Sequence, residues 1–169
     1  MKKILLLIVL LYGNLITAQD LVNEAFVEKW DNSKTYLLDI VKMMPEEKLD
    51  YKPTQREMSF KDQIFHILDN MSWLSKAYFT NEKHIKIDHS SIVLKEDILK
   101  EIEISFDKAK KIIEANKGID LSQKVEFFAG PKTKLQILNL MQDHVTHHRG
   151  QLIVYLNLNQ IQPPKYIGW

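Results

Sequence analysis

Apolar residues recur at alternating steps of four and three in the second quarter of the chain, and this spacing restricts the fold more than any other feature. The seam consists of Phe60, Ile64, Ile67, Met71, Leu74 and Tyr78. Such a seam places one face of an α-helix against neighbouring helices. Ser59 and Asp62 open the helix with a capping-box pattern. Because the 169 residues include only 5 Gly and 5 Pro, too few for the turns of an all-β protein, we predict an all-α fold.

Three further segments have the same helical character. Apolar steps of three or four predict helices over about residues 21–44 and 94–116. A second capping-box pattern, Thr133 with Gln136, opens another helix that extends to about residue 159. A chain of this length suits one domain. The sequence therefore predicts a four-helix bundle without a sheet.

The first residues form a different kind of segment. A basic start precedes an unbroken apolar run over residues 4–12, and small residues follow up to Ala18. This order is typical of a secretory signal peptide, and the run is shorter than the roughly 20 residues of a membrane-spanning helix. We predict a signal peptide at residues 1–18 and an exported domain, periplasmic or secreted, at residues 19–169. A buried N-terminal helix is the alternative.

Composition narrows the classes of partner. The chain has no Cys, which excludes a lipoprotein anchor, a disulfide and thiolate chemistry, so we expect no stable membrane anchor. The 23 basic and 22 acidic residues nearly balance, whereas nucleic-acid-binding proteins concentrate a basic excess on one face. We therefore expect no nucleic-acid partner. A small-molecule substrate fits this composition, and a homodimer is left open.

Two histidines of the fourth helix have the spacing of a metal-binding pair. His144 and His148 are four residues apart, so they lie on one helix face, where neutral ring nitrogens can bind a divalent cation. Their directions fall about 80° and about 40° from the centre of the apolar stripe, whereas His147 falls about 140° away. Inward-facing imidazoles need partners. The residues alone leave a metal pair and two hydrogen-bonded core histidines equally open.

His66 is a candidate third ligand near the middle of the second helix. Its direction is about 120° from the centre of the seam, so from the residues alone it is equally well a partly buried surface histidine. The other two histidines, His84 and His89, belong to a polar connection between helices. We expect both of them to be exposed.

Several stretches resemble one protein family. The run Asp143–Gln151, followed by two prolines, resembles the final helix and tail of the DinB/YfiT-like superfamily. The stretch Ser59–Ile67 resembles the second helix of that superfamily, and Leu49–Thr54 resembles the loop before it. Together these segments extend the similarity over about residues 21–169.

The resemblance implies a four-helix bundle with a bound divalent metal ion, commonly zinc or nickel. Carried over by position, the ligands are His66, His144 and His148. Family members with assigned chemistry are largely transferases or isomerases that use cytosolic thiols, and many others are described only as metal-dependent hydrolases. The resemblance gives no reason to expect DNA binding.

The implied site favours hydrolysis of an unknown small molecule. Three neutral imidazoles leave a position for a bound water, whose pKa can fall to about 7. Val145 stands where an HExxH motif has its glutamate base, so the general base is unidentified. Gln151 is a candidate partner for a metal ligand, and from the residues alone it is equally well a solvent-facing glutamine. The alternatives are a metal-dependent thiol S-transferase or isomerase, which export disfavours because the cytosolic thiols would be absent, and a non-catalytic metal- or ligand-binding bundle.

Overall fold

The structure, a computed structural model, describes the backbone of residues 2–168 and the side chains of residues 21–168. This part of the chain contains four α-helices, as the sequence predicts. They are α1 (Lys2–Met43), α2 (Phe60–Phe79), α3 (Lys95–Ala115) and α4 (Lys134–Leu158). The connections carry a 3-10 turn and two short strands. These are Glu46–Lys48, β1 (Lys124–Val125) and β2 (Lys132–Thr133).

Two details differ from the sequence-based expectation. The prediction of no sheet is wrong in a small way, because β1 and β2 pair antiparallel, with Lys124 opposite Thr133. Gly130, at a φ of 86°, lies in the turn between them, where glycine adopts a positive φ without steric cost. In addition, α1 begins at Lys2 rather than near residue 21. The signal peptide predicted at residues 1–18 lies outside the part of the chain whose side chains are described.

Both predicted capping boxes are confirmed. The Ser59 hydroxyl accepts the backbone N–H of Asp62 at 3.1 Å, and the Asp62 carboxylate accepts that of Ser59 at 3.4 Å. Thr133 and Gln136 exchange the same pair of bonds at the start of α4. A cap of this kind contributes about 1 kcal/mol. The two caps therefore fix where α2 and α4, which carry the candidate ligands, begin.

The helices surround one apolar core. Both α1 and α2 pack against α3 and α4, so α1 and α2 lie across the bundle from each other. Trp30 of α1 is almost fully buried, and its indole N–H donates to the backbone carbonyl of Phe106 in α3 at 3.1 Å. Contact between α2 and α4 brings their histidine-bearing faces together. Within the described residues, no helix combines the length and hydropathy that crossing a membrane requires.

Candidate metal centre

The three predicted ligands meet between α2 and α4. His66 extends from α2, and His144 and His148 extend from consecutive turns of α4. The ring centroid of His66 lies 4.8 Å from that of His144 and 4.7 Å from that of His148, and the two α4 rings are 4.5 Å apart. One nitrogen from each ring lies within 4.8 Å of the other two. The structure thus forms a histidine triad, His66–His144–His148.

The spacing within the triad is close to that of a metal site. The Nε2 atoms of His66 and His144 are 3.1 Å apart. Two nitrogens bound tetrahedrally to one zinc ion at 2.0–2.1 Å are about 3.4 Å apart. This pair therefore has nearly the required separation, while the nitrogens of the triad as a whole, which lie within 4.8 Å of one another, would have to approach further to share an ion.

Burial keeps the triad neutral. Desolvation lowers the pKa of His144 to about 3 and that of His148 to about 4, and the neighbouring histidines lower both further. Burial also lowers the pKa of His66, although the carboxylate of Asp69 opposes this shift. At neutral pH all three rings are therefore uncharged. A neutral imidazole offers the lone pair that a metal ion needs.

Gln63, which the sequence analysis did not single out, orients His148. This side chain is buried one turn before His66, and its Oε1 contacts the Nδ1 of His148. Its amide nitrogen donates to Gln151 Oε1 at 2.5 Å and to the Tyr155 hydroxyl at 3.3 Å. Because the amide nitrogen is engaged there, Oε1 accepts the Nδ1–H of His148. The Nε2 of His148 is then the nitrogen with a free lone pair.

Gln151, the candidate partner for a metal ligand, is linked to His148 through Gln63. Gln151 holds the amide of Gln63, and its own amide nitrogen contacts Nε2 of His147 at 2.9 Å. The Tyr155 hydroxyl, which also accepts from Gln63, donates to the carbonyl of Met58 at 2.9 Å. This network ties the orientation of His148 to the start of α2. The sequence did contain a signal for Gln63, because this polar residue stands next to the apolar seam and three positions before His66.

The directions predicted on α4 are confirmed. His148 is buried, His144 is half-buried and His147 is exposed. The ring of His147 nevertheless touches that of His148, with centroids 4.9 Å apart and planes nearly perpendicular. His147 is therefore a neighbour of the triad rather than a member of it.

The expectation that His84 and His89 are exposed is wrong. The side chain of His89 is only 8% exposed, its ring stacks on Phe65 at 4.4 Å, and its Nε2 lies 3.1 Å from a carboxylate oxygen of Asp69. His84 is half-buried. The cause is the connection between α2 and α3, which folds back against the side of α2 next to His66.

A divalent ion fits the donor set of the triad. The buried Nδ1 of His144 has no hydrogen-bond partner among the described residues, so only ring contacts and the His66 nitrogen orient this side chain. An ion shared by the Nε2 atoms of His66 and His144 would hold this ring in place more firmly than the contact between the two rings does. No further His, Cys, Asp or Glu joins the three histidines within the described residues. Sites with three protein ligands keep an open position for a water or a substrate.

Fold and site together define a class of protein: a four-helix bundle in which two helices present a histidine triad that could hold one divalent metal ion. The sequence profile of the DinB family matches residues 18–165, and the chain therefore belongs to the DinB family.

Solved structures share this fold. A DinB-like protein from Bacillus cereus has a TM-score of 0.70 at 17% identity, covering 85% of this chain and 97% of that one. A DinB-like protein from Bacillus subtilis, YjoA, has a TM-score of 0.67 at 17% identity, covering 84% and 96% respectively. No curated protein matches the sequence.

Proposed function

We propose that His66, His144 and His148 bind one zinc or nickel ion, and that the protein is a metal-dependent hydrolase of a small molecule outside the cytoplasm. The observation that carries this proposal is the convergence of three neutral imidazoles without a fourth protein ligand in the described residues. Structural metal sites are usually closed by four protein ligands, whereas catalytic sites with three leave one position free.

The ion and the residues around the triad would have separate roles in such a site. A bound ion supplies Lewis-acid chemistry and lowers the pKa of a coordinated water. Asp69 lies one turn beyond His66 on α2. It lines two surface hollows that also include His66. His89 holds one oxygen of this carboxylate, so the side chain is oriented to accept a proton. We assign Asp69 the proton-accepting role that glutamate has in the HExxH motif. The residue after His144, where that motif has its glutamate, is the buried Val145, which cannot accept a proton.

Metal content and hydrolysis test the two parts of the proposal separately. Elemental analysis of the purified protein should find about one zinc or nickel per chain. Replacing His66, His144 or His148 singly by Ala should remove most of it, and His147→Ala, the matched control, should remove little. Equal metal content in all four variants would refute the triad as a metal site.

A panel of esters, amides and phosphoesters then tests hydrolysis by the metal-loaded protein. We expect turnover that disappears with the metal and with Asp69→Asn. A protein that binds metal but hydrolyses nothing would contradict the hydrolase. Turnover only with an added thiol would identify an S-transferase or isomerase, and no turnover at all would identify a non-catalytic bundle.

Export is the remaining part of the proposal. It is supported by the basic start and short apolar run before Ala18, and by a family match that leaves residues 1–17 outside it. N-terminal sequencing of the protein from its native host should find a mature chain beginning near residue 19. An uncut chain in the cytoplasm would refute export and would return thiol transfer to consideration.

A further inference from the structure

We propose that the hollow beside His66 binds a small organic anion that has an apolar ring, with the anionic group at Lys86 and the ring against Trp73. This inference rests on the proposed function, because it assigns the substrate class of the same site. The hollow has a volume of about 510 Å³, in the range of small-molecule sites. Its lining consists of His66, Asp69, Asn70, Trp73, His84 and Lys86.

Unmet polar atoms distinguish this hollow from an ordinary surface depression. Asn70 Oδ1 and His84 Nδ1 are shielded from solvent, and neither has a hydrogen-bond partner among the described residues. A buried polar group without a hydrogen-bond partner destabilises the folded chain. If these side chains turn toward the hollow, His84 can donate to an anionic group and Asn70 Oδ1 can accept from a donor on the same bound molecule.

Charge selects an anion for this hollow. Lys86 is exposed, forms no ion pair with the described residues and lines the hollow together with His66. Asp69 is the one carboxylate in the lining, and His89 already contacts it. A divalent ion on three neutral ligands would add two further positive charges. Lys86 and Asp69 alone balance each other, so a bound ion would make the sum of the charges around the hollow positive.

A neighbouring hollow provides a comparison. It measures about 430 Å³ and shares His66, Asp69 and Lys86. Two more carboxylates, Asp62 and Asp88, also line it, so the same cations are offset there. An anion is consequently favoured in the hollow that contains Trp73.

The apolar end is an aromatic wall. Trp73 stacks on Phe127, with ring centroids 5.8 Å apart and planes inclined by 21°, and lies 6.3 Å from Phe128. Tyr78 packs edge-on against the same indole. Phe128 is 84% exposed, which is unusual for a large aromatic side chain in a soluble domain. Of these rings, that of Trp73 lines the hollow together with Lys86, so it offers an apolar surface to a ligand whose anionic group binds the lysine.

Binding of three matched probes to the zinc-loaded full chain tests this inference. The probes are 2-naphthoate, the neutral 2-naphthamide and the cationic 2-naphthylmethylammonium, measured by calorimetry. We expect 2-naphthoate to bind most tightly. Lys86→Ala should weaken it at least about fivefold, the loss of one partly exposed ionic contact of about 1 kcal/mol. Trp73→Ala should weaken both naphthoate and naphthamide, and Lys83→Ala, an exposed lysine of the same connection outside the lining, should change neither.

The zinc content of every sample separates this inference from the metal proposal. Equal affinity for naphthoate and naphthamide, or unchanged naphthoate binding in Lys86→Ala with zinc retained, would overturn the anion site. Unchanged binding in Trp73→Ala would overturn the aromatic wall. A protein that takes up neither zinc nor nickel would refute the metal site, and naphthoate binding that still depends on Lys86 in that protein would support the anion site through the lysine charge alone.

Discussion

Two consecutive residues of α4, His148 and Arg149, are buried to the same extent, at 7% and 6% exposure, but meet very different surroundings. His148 faces α2, where the imidazole of His66 and the amide of Gln63 approach it, and His144 of its own helix completes the group. Arg149 faces α1. Its guanidinium lies 4.8 Å from the ring centroid of Tyr36 and donates to the Ser33 hydroxyl at 3.2 Å.

The two environments show that burial of a polar side chain does not by itself indicate a site. Around Arg149 an aromatic face and a hydroxyl surround one cation, which stabilises the contact between α1 and α4. Around His148 the nitrogens of several neutral imidazole rings approach one another. A metal ion requires several ligand atoms that converge on one point, and burial alone does not provide them.

Replacement of Arg149 should produce the largest effect on folding and little on metal binding. Arg149→Ala removes a buried cation–π contact, a hydrogen bond and side-chain volume, so we expect a loss of about 2–3 kcal/mol in the free energy of unfolding. Urea denaturation with elemental analysis of the folded fraction measures both quantities.

Arg149→Met is the matched variant, because it keeps most of the volume and removes the charge. It should recover part of the lost stability. Full stability combined with loss of metal in Arg149→Ala would contradict the division between the two faces of α4.

The sequence predicted the helices more completely than the site, and the reason is the range of the interactions. Local signals such as the Ser59 capping box and the seam after it determine where α2 begins and which face it buries. The inward direction of His148 also follows from one helix alone. The positions of His66 and Gln63 depend on how α2 packs against α4, which helical period does not specify, and His66 was assigned only through the family resemblance. Burial of His89 depends on the path of a connection without regular structure.

Replacement of Gln63 tests whether the surroundings of His148 serve metal binding. Gln63→Ala removes the acceptor that holds the Nδ1–H of His148, and loss of such a contact to a metal ligand typically weakens metal binding about 10–100-fold. Competition with a fluorescent zinc chelator measures this change. The absorption spectrum of the cobalt-loaded protein should also shift, because the geometry of His148 is altered while the ligand remains.

Gln142 offers a matched control for Gln63. It also lies on a bundle helix and bridges to another helix, donating to the carbonyl of Phe26 in α1 at 3.1 Å. Gln142→Ala should leave zinc affinity and the cobalt spectrum unchanged. Similar weakening in both variants would mean that Gln63 acts through general stability rather than through the orientation of His148.

The smallest expected effect is a pH dependence of folding in the metal-free protein. His144 and His148 have pKa values of about 3 and about 4 in the folded chain, below their ordinary value of 6.5. As the pH falls below 6.5, the unfolded chain binds protons at these residues that the folded chain does not bind. The free energy of unfolding therefore keeps its full value above pH 6.5 and falls on acidification. The loss should be roughly 1 kcal/mol between pH 7 and pH 6. Urea denaturation at the two pH values should show this loss, and it should shrink in His144→Gln. His147→Gln, which changes an exposed ring on the same helix, should leave the loss unchanged. A metal-free protein equally stable at both pH values would mean that the triad accepts protons when folded, which contradicts the neutral imidazoles that distinguish the environment of His148 from that of Arg149.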